Sequence, residues 1–189
     1  MTAYSRKFKL SQVDALPRVT IVNPPNMILS HNVASGSVVP GELVEPVGVS
    51  HSDNIHTVGG FVQTVAGKPS SAFKGLRRYS VAMRPVEVFN ELESTTTPVD
   101  VVNRTIAAGE FVRQVYDGIL MTTLAKPTVA GYQSGDLLTW DGSATRPTGI
   151  SGTGAWQLAA SDEPLAEVVS FKEVDATSHD GILEFRLLA

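Results

Sequence analysis

The stretch Ala107–Gly142, AAGEFVRQVYDGILMTTLAKPTVAGYQSGDLLTWDG, carries the strongest fold signal in this chain. Two short apolar runs, Phe111–Tyr116 and Ile119–Leu124, flank Asp117-Gly118, a dipeptide that favours the positive φ angles of a two-residue hairpin turn. A third run, Asp136–Trp140, follows a loop and ends at another Asp-Gly dipeptide. The stretch therefore predicts antiparallel strands, with a hairpin around Asp117-Gly118.

A glycine followed by an acidic residue and two apolar residues occurs three times, at Gly41–Val44, Gly109–Val112 and Gly135–Leu138. Each copy predicts a strand that begins after a glycine turn. Near the end of the sequence, Leu165–Val174 and Gly181–Leu188 flank a turn that ends in Asp-Gly. We expect these two runs to form a terminal hairpin.

The last run has the period-2 pattern of a strand with one buried face. Leu183, Phe185 and Leu187 would point to one side, and Glu184 and Arg186 to the other. We expect this strand to lie in the centre of its sheet and to be hard to remove.

Composition agrees with an all-β protein. The chain has 189 residues, of which only 18% are charged, and no cysteine. We predict a small antiparallel barrel or sandwich, formed by residues 36–189, with an inserted basic loop near residues 66–85. Residues 1–35 are predicted to be an extended arm, because prolines at 17, 24 and 25 disfavour helix. Between them, Val19–Val22 has strong β character and would pair as an edge strand, in this chain or with a neighbouring subunit.

Charge is distributed unevenly. Residues 1–86 have a net charge of +5 and residues 87–189 a net charge of −9. This asymmetry favours head-to-tail contact between copies, or docking of the basic half on an acidic surface; alternatively, the fold mixes both halves on one surface. The candidate partner-contact residues are the basic ones of the arm and of the basic loop: Arg6, Lys7, Lys9, Arg18, Lys74, Arg77 and Arg78.

No motif for catalysis, metal or phosphate binding is recognisable. The cluster His51, Asp53 and His56 lacks a second group of ligands and is interpreted as a polar loop. The glycines of residues 143–155 do not have the spacing of a phosphate-binding loop, and residues 67–68 lack the required upstream glycine. We predict a protein that is not an enzyme and uses no cofactor or metal. Because no signal peptide, membrane span or nucleic-acid motif is visible, synthesis in a cytoplasm without membrane or nucleic-acid contact is expected.

Together, the extended arm, the glycine-started strands, the turn at Asp117-Gly118 and the run Leu165–Val168 before a terminal hairpin resemble the decoration, or cement, proteins of tailed-bacteriophage heads. The resemblance covers residues 100–189 best. It implies a tulip-like or SH3-like barrel that sits, commonly as a homotrimer, on the outer surface of the virion. Its implied partner is the major capsid protein, whose subunits it would tie together after synthesis in the host cytoplasm.

Two other functions stay open. A receptor- or glycan-binding module of a viral fibre or adhesin would use exposed loops, for example Ser143–Ala155 with Trp156. A small hydrolase would need a pocket with a perturbed carboxylate.

Overall fold

The computed structural model describes residues 16–23, 29–49, 60–64, 79–84 and 102–188. These ranges contain eleven β-strands, numbered in chain order: β1 Val19–Asn23, β2 Leu29–Ala34, β3 Leu43–Val49, β4 Gly60–Thr64, β5 Ser80–Met83, β6 Phe111–Val115, β7 Ile119–Thr122, β8 Leu137–Thr145, β9 Thr153–Leu158, β10 Ala166–Asp175 and β11 Asp180–Leu187.

The strands form two sheets. Five of them close into a barrel in the order β2-β4-β3-β5-β6, and six form a second sheet in the order β1-β7-β11-β10-β8-β9. All the strand pairs are antiparallel except β2 with β4. A parallel bridge between Ala125 and Trp156 brings the chain just after β7 against β9, so the second sheet curls back on itself. The predicted all-β class, a small barrel or sandwich, is confirmed, but the predicted antiparallel pairing is interrupted by the parallel pair of β2 and β4.

The described residues form two hydrophobic clusters, a smaller one within the barrel and a larger one that extends under both sheets. The larger one is the shared core. Its largest members, Trp140, Trp156 and Phe185, belong to the curled sheet, and it extends to Leu43 and Val115 of the barrel. The ring centroids of Trp156 lie 5.7 Å from those of Trp140, edge to face, and 4.7 Å from those of Phe185. Aromatic side chains bury more apolar area than other residues. These three rings are therefore a main source of the free energy that stabilises the curled sheet.

The three Gly-acid repeats form the same local structure, and the predicted strand starts are confirmed. In each, the glycine has a positive φ, between 86° and 95°, and the acid closes a four-residue turn by a backbone bond. The acidic side chain also accepts a bond from the backbone N–H three residues earlier, with distances of 2.8–2.9 Å. Strands β3, β6 and β8 begin directly after these acids, at Leu43, Phe111 and Leu137.

The hairpin predicted at Asp117-Gly118 is wrong. Gly118 has a φ of 118°, as the dipeptide suggests, but β6 pairs with β2 and β5 whereas β7 pairs with β1 and β11. The dipeptide therefore carries the chain from the barrel to the curled sheet. Both edges of each strand are occupied by distant segments, and no edge remains for the hairpin pairing.

The predicted terminal hairpin is confirmed, and so is the predicted position of its last strand in the centre of the sheet. Strand β11 lies between β7 and β10, with Leu183, Phe185 and Leu187 buried and Arg186 exposed. The register between β3 and β4 shifts between Pro46 and Gly48, which marks a β-bulge. Proline has no backbone N–H to donate to a neighbouring strand and is tolerated at a bulge.

Part of the predicted arm lies within the two sheets. Strand β1 is an edge strand of the curled sheet, paired with β7 of the same chain, and β2 belongs to the barrel. Residues 1–15 lie outside the described residues, as do residues 65–78 of the predicted basic loop. The end of that loop, Ser80–Met83, is strand β5.

Candidate interaction surface

Among the predicted contact residues, only Arg18 lies in the described part of the chain. Its backbone N–H donates to Asn103 Oδ1 at 2.6 Å, and its carbonyl accepts from the Thr122 hydroxyl at 2.7 Å. The Asn103 amide also donates to the Leu16 carbonyl. These hydrogen bonds fix the backbone of Arg18 directly before β1 begins. Arg6, Lys7, Lys9, Lys74, Arg77 and Arg78 lie outside the described residues, so the structure does not test whether they form one surface.

Histidine and acidic side chains are dispersed through the ranges that the structure describes. Within them, no group of three or more His, Asp or Glu side chains is placed to hold a metal ion. His51, Asp53 and His56 lie outside these ranges. The same ranges contain no helix that is long and apolar enough to cross a membrane.

A buried ion pair joins the barrel to the curled sheet. Arg146, just after β8, donates from Nη2 to Glu42 Oε1, just before β3, and both side chains are at most 7% exposed. The other donors of Arg146 bond to the carbonyls of Gly154 at 3.1 Å and Ser151 at 2.7 Å. Glu42 Oε2 accepts from the Val39 N–H and from the Thr64 hydroxyl, both at 2.9 Å. Every charge of the pair therefore has hydrogen-bond partners, which is what a buried pair requires.

The glycine-rich segment 143–155 is partly the loop that the sequence suggests: residues 146–152 connect two strands, and residues 143, 145, 148, 149 and 151–153 are exposed. Strand β8 continues through the second Asp-Gly to Thr145, and β9 begins at Thr153. Gly154 packs on the Trp140 ring, and Ile150 is buried. Trp156 is fully buried and donates from Nε1 to the Gly41 carbonyl. Its indole ring is not available to stack on a sugar. Sequence reasoning missed Arg146 because its partner Glu42 is 104 residues away.

Tyr132 fastens the segment after β7 to β9. Its hydroxyl lies 2.7 Å from the Lys126 carbonyl and 3.1 Å from the Trp156 carbonyl, and its ring packs edge-on against Phe171. Burial raises the pKa of the Tyr132 phenol well above its ordinary value. The hydroxyl therefore stays protonated and keeps its role as a donor.

The outer face of the curled sheet is the most distinctive surface. We define it by two rows that the strand registers place side by side across the sheet. The first row runs Leu137, Glu167, Arg186, Ile119, and the second runs Ser170, Glu184, Met121, Thr20.

Polar groups occupy the middle of this outer face. Arg186 Nη2 bonds to Glu167 Oε2 at 2.8 Å, and the Ser170 hydroxyl donates to Glu184 Oε2 at 2.8 Å. Its flanks are apolar: Leu137 is 47% exposed and Ile119 and Met121 are half-buried. Val22 in β1 and Val169 in β10 add exposed apolar surface. The outer face thus combines exposed apolar residues with charged groups on one continuous surface.

Residues 117–188, which contain all of this outer face except its β1 residues, form an acidic unit. They include ten Asp/Glu and four Lys/Arg, a net charge of −6. One of the acids, Asp175, accepts the Thr177 N–H at the tip of the terminal hairpin, and this bond holds the pKa of its carboxyl below the ordinary value. An acidic surface attracts basic partners and repels nucleic acid and anionic membranes.

Comparison with known proteins identifies no relative: no family model, no curated protein and no solved structure matches this chain.

Proposed function

We propose that this chain is a virion structural protein that binds the outer surface of an icosahedral phage head and stabilises it by bridging major-capsid subunits. The proposal rests on the resemblance of residues 100–189 to head decoration proteins together with one structural observation. That observation is the outer face of the curled sheet, an exposed and mixed apolar and charged surface on a body that is otherwise well packed.

A mechanical clamp needs a stiff body more than it needs reaction chemistry. The shared core and the Glu42–Arg146 pair join the barrel and the curled sheet, so that load applied to one is passed to the other. Polar groups buried at a junction fix its geometry when all of them are hydrogen-bonded. These features support a role in which the chain carries force between partners.

A clamp also needs several separate contacts, since weak contacts that are linked in one assembly gain avidity. The outer face of the curled sheet supplies one such contact. The basic residues that lie outside the described ranges would supply another, directed at an acidic capsid surface. A homotrimer would multiply both contacts threefold, and no catalytic group is needed for this function.

The glycan-binding alternative required an exposed aromatic ring at Trp156, and this ring is not exposed. Sugar recognition commonly relies on an exposed ring, and the tryptophan assigned to that role, Trp156, is fully buried beside Trp140. No observation in the described ranges favours the hydrolase alternative either.

The experiment is a binding and stability assay with purified heads that lack the protein. Heads incubated with the protein should retain it through sedimentation in a saturable, fixed ratio to the shell subunit. They should also resist heat-induced release of DNA at a higher temperature than untreated heads. Absence of saturable binding, or binding without any change in the release temperature, would contradict the stabilising role.

A further inference from the structure

We propose that the outer face of the curled sheet binds residues 1–15 of a second copy of the chain, giving a head-to-tail self-contact. This inference deepens the proposed function and rests on it, because it names the contact through which neighbouring copies on one surface would be linked.

The chemistry of the two sides is complementary. The outer face carries Glu167, Glu184 and Arg186, a net charge of −1, within an acidic unit of net charge −6. Residues 1–15, MTAYSRKFKLSQVDA, have a net charge of +2 from three closely spaced basic residues, Arg6, Lys7 and Lys9. Opposite charges of this kind steer association and fix its register.

The apolar parts match as well. Phe8 and Leu10 alternate with Lys7 and Lys9, and Tyr4 lies two residues before Arg6. The outer face offers apolar flanks on both sides of its polar centre, with Leu137 at one end and Ile119 and Met121 at the other. The segment contains two aromatic residues and an arginine, and these residue types are enriched at interfaces.

Two observations favour a second copy as the source of the segment. The side chains of Val22, Leu137 and Val169 are 36–47% exposed in the single chain, so the face is uncovered there. Fifteen residues can span about 50 Å when extended, a length sufficient to reach from one copy of the chain to a neighbouring copy. Such a contact uses different surfaces on the two copies, and contacts of that type close into rings such as trimers.

The test uses two full-length variants, each with one side of the contact reversed in charge. The face variant carries Glu167→Lys and Glu184→Lys, and the segment variant carries Arg6→Glu, Lys7→Glu and Lys9→Glu. A matched control carries Glu163→Lys and Glu173→Lys, which change the net charge as the face variant does but lie outside the two rows. Near-UV circular dichroism of each variant establishes that the fold is kept.

Sedimentation velocity at low salt then measures self-association. The wild-type chain and the control should associate as the concentration rises, whereas each single-sided variant should associate at least about tenfold more weakly. A mixture of the two variants should associate more strongly than either variant alone, because the unaltered segment and face match each other and the reversed segment and face are again opposite in charge. Added salt should weaken wild-type association.

Three results would overturn the inference: a wild-type chain that remains monomeric, variants that associate as strongly as the wild type, or a control that is as weak as the face variant. Head binding, measured separately, distinguishes the two proposals. A monomer that binds heads contradicts the self-contact only, and a chain that self-associates through this contact without binding heads contradicts the proposed function only.

Discussion

Arg146 and Glu42 form a fully hydrogen-bonded ion pair across the junction of the barrel and the curled sheet, although 104 residues separate them in sequence. Arg146 also holds the carbonyls of Ser151 and Gly154, so one guanidinium organises the segment between β8 and β9. Removal of either partner leaves a buried charge without compensation.

Substitution of Arg146 by Met should therefore lower the free energy of unfolding by about 3–5 kcal/mol, because the buried Glu42 loses its counter-charge and two carbonyls lose a donor. Urea denaturation measures this change. The exposed pair provides the control: Arg186→Met breaks the bond to Glu167, where the arginine side chain is 56% exposed, and should cost less than about 1 kcal/mol. Equal losses in the two variants would contradict the role assigned to the buried pair.

Gly154 should tolerate alanine poorly. Its φ is 104°, and an added Cβ would lie 2.7 Å from Cζ2 of the Trp140 ring. Gly135 has a similar φ of 91° but open space around it, so Gly135→Ala carries the backbone cost alone, about 1–2 kcal/mol. Gly154→Ala should add an overpacking cost of about 1–3 kcal/mol to that amount. Thermal unfolding of both variants tests this, and a Gly135 variant as unstable as the Gly154 variant would argue against the contact with Trp140.

Tyr132 should make the free energy of unfolding depend on pH in the alkaline range. Burial raises the pKa of its phenol in the folded chain above the ordinary value of 10.0, so the unfolded chain loses this proton first as the pH rises. The stabilising contribution is complete below pH 10.0 and declines above it. Urea denaturation above that pH should show a steeper loss of stability for the wild type than for Tyr132→Phe. Parallel pH profiles would contradict the assignment.

The same Tyr132→Phe variant should lose about 1–2 kcal/mol at neutral pH, because the Lys126 carbonyl loses a donor. The Trp156 carbonyl keeps its bond from the Lys126 N–H.

Strand β11 should be essential to the fold. Phe185 is fully buried against Trp156, and its truncation to alanine should cost about 3–5 kcal/mol through lost burial and a cavity. Leu188, directly after the strand and 39% exposed, serves as control, and its alanine variant should be close to wild type. Chemical denaturation that ranks the two variants in the opposite order would show that β11 is not the central element of the core.

Local chemistry explains which features could be predicted from sequence. A Gly-acid pair specifies a turn by itself, because the glycine supplies the positive φ and the acid caps the turn; hence the starts of β3, β6 and β8 were predictable. The period-2 pattern of β11 likewise reflects burial of one face of one strand.

Features that depend on distant partners could not be predicted in this way. Asp117-Gly118 has the local preference for a hairpin, but pairing is decided by strands about a hundred residues away. Arg146 lies in a segment rich in small residues and gives no sign of burial, because its partner Glu42 belongs to the other sheet. The outer face of the curled sheet is assembled from β1, β7, β8, β10 and β11, and its composition becomes visible only through their registers.

The central claim, that this chain stabilises a phage head, is tested most directly by sedimentation of the native protein from a lysate of its source, with mass spectrometry of the fractions. The account predicts that the chain sediments with megadalton particles in a fixed ratio to one abundant shell protein. A chain that remains near the top of the gradient, as a free species of one to three copies, would contradict it.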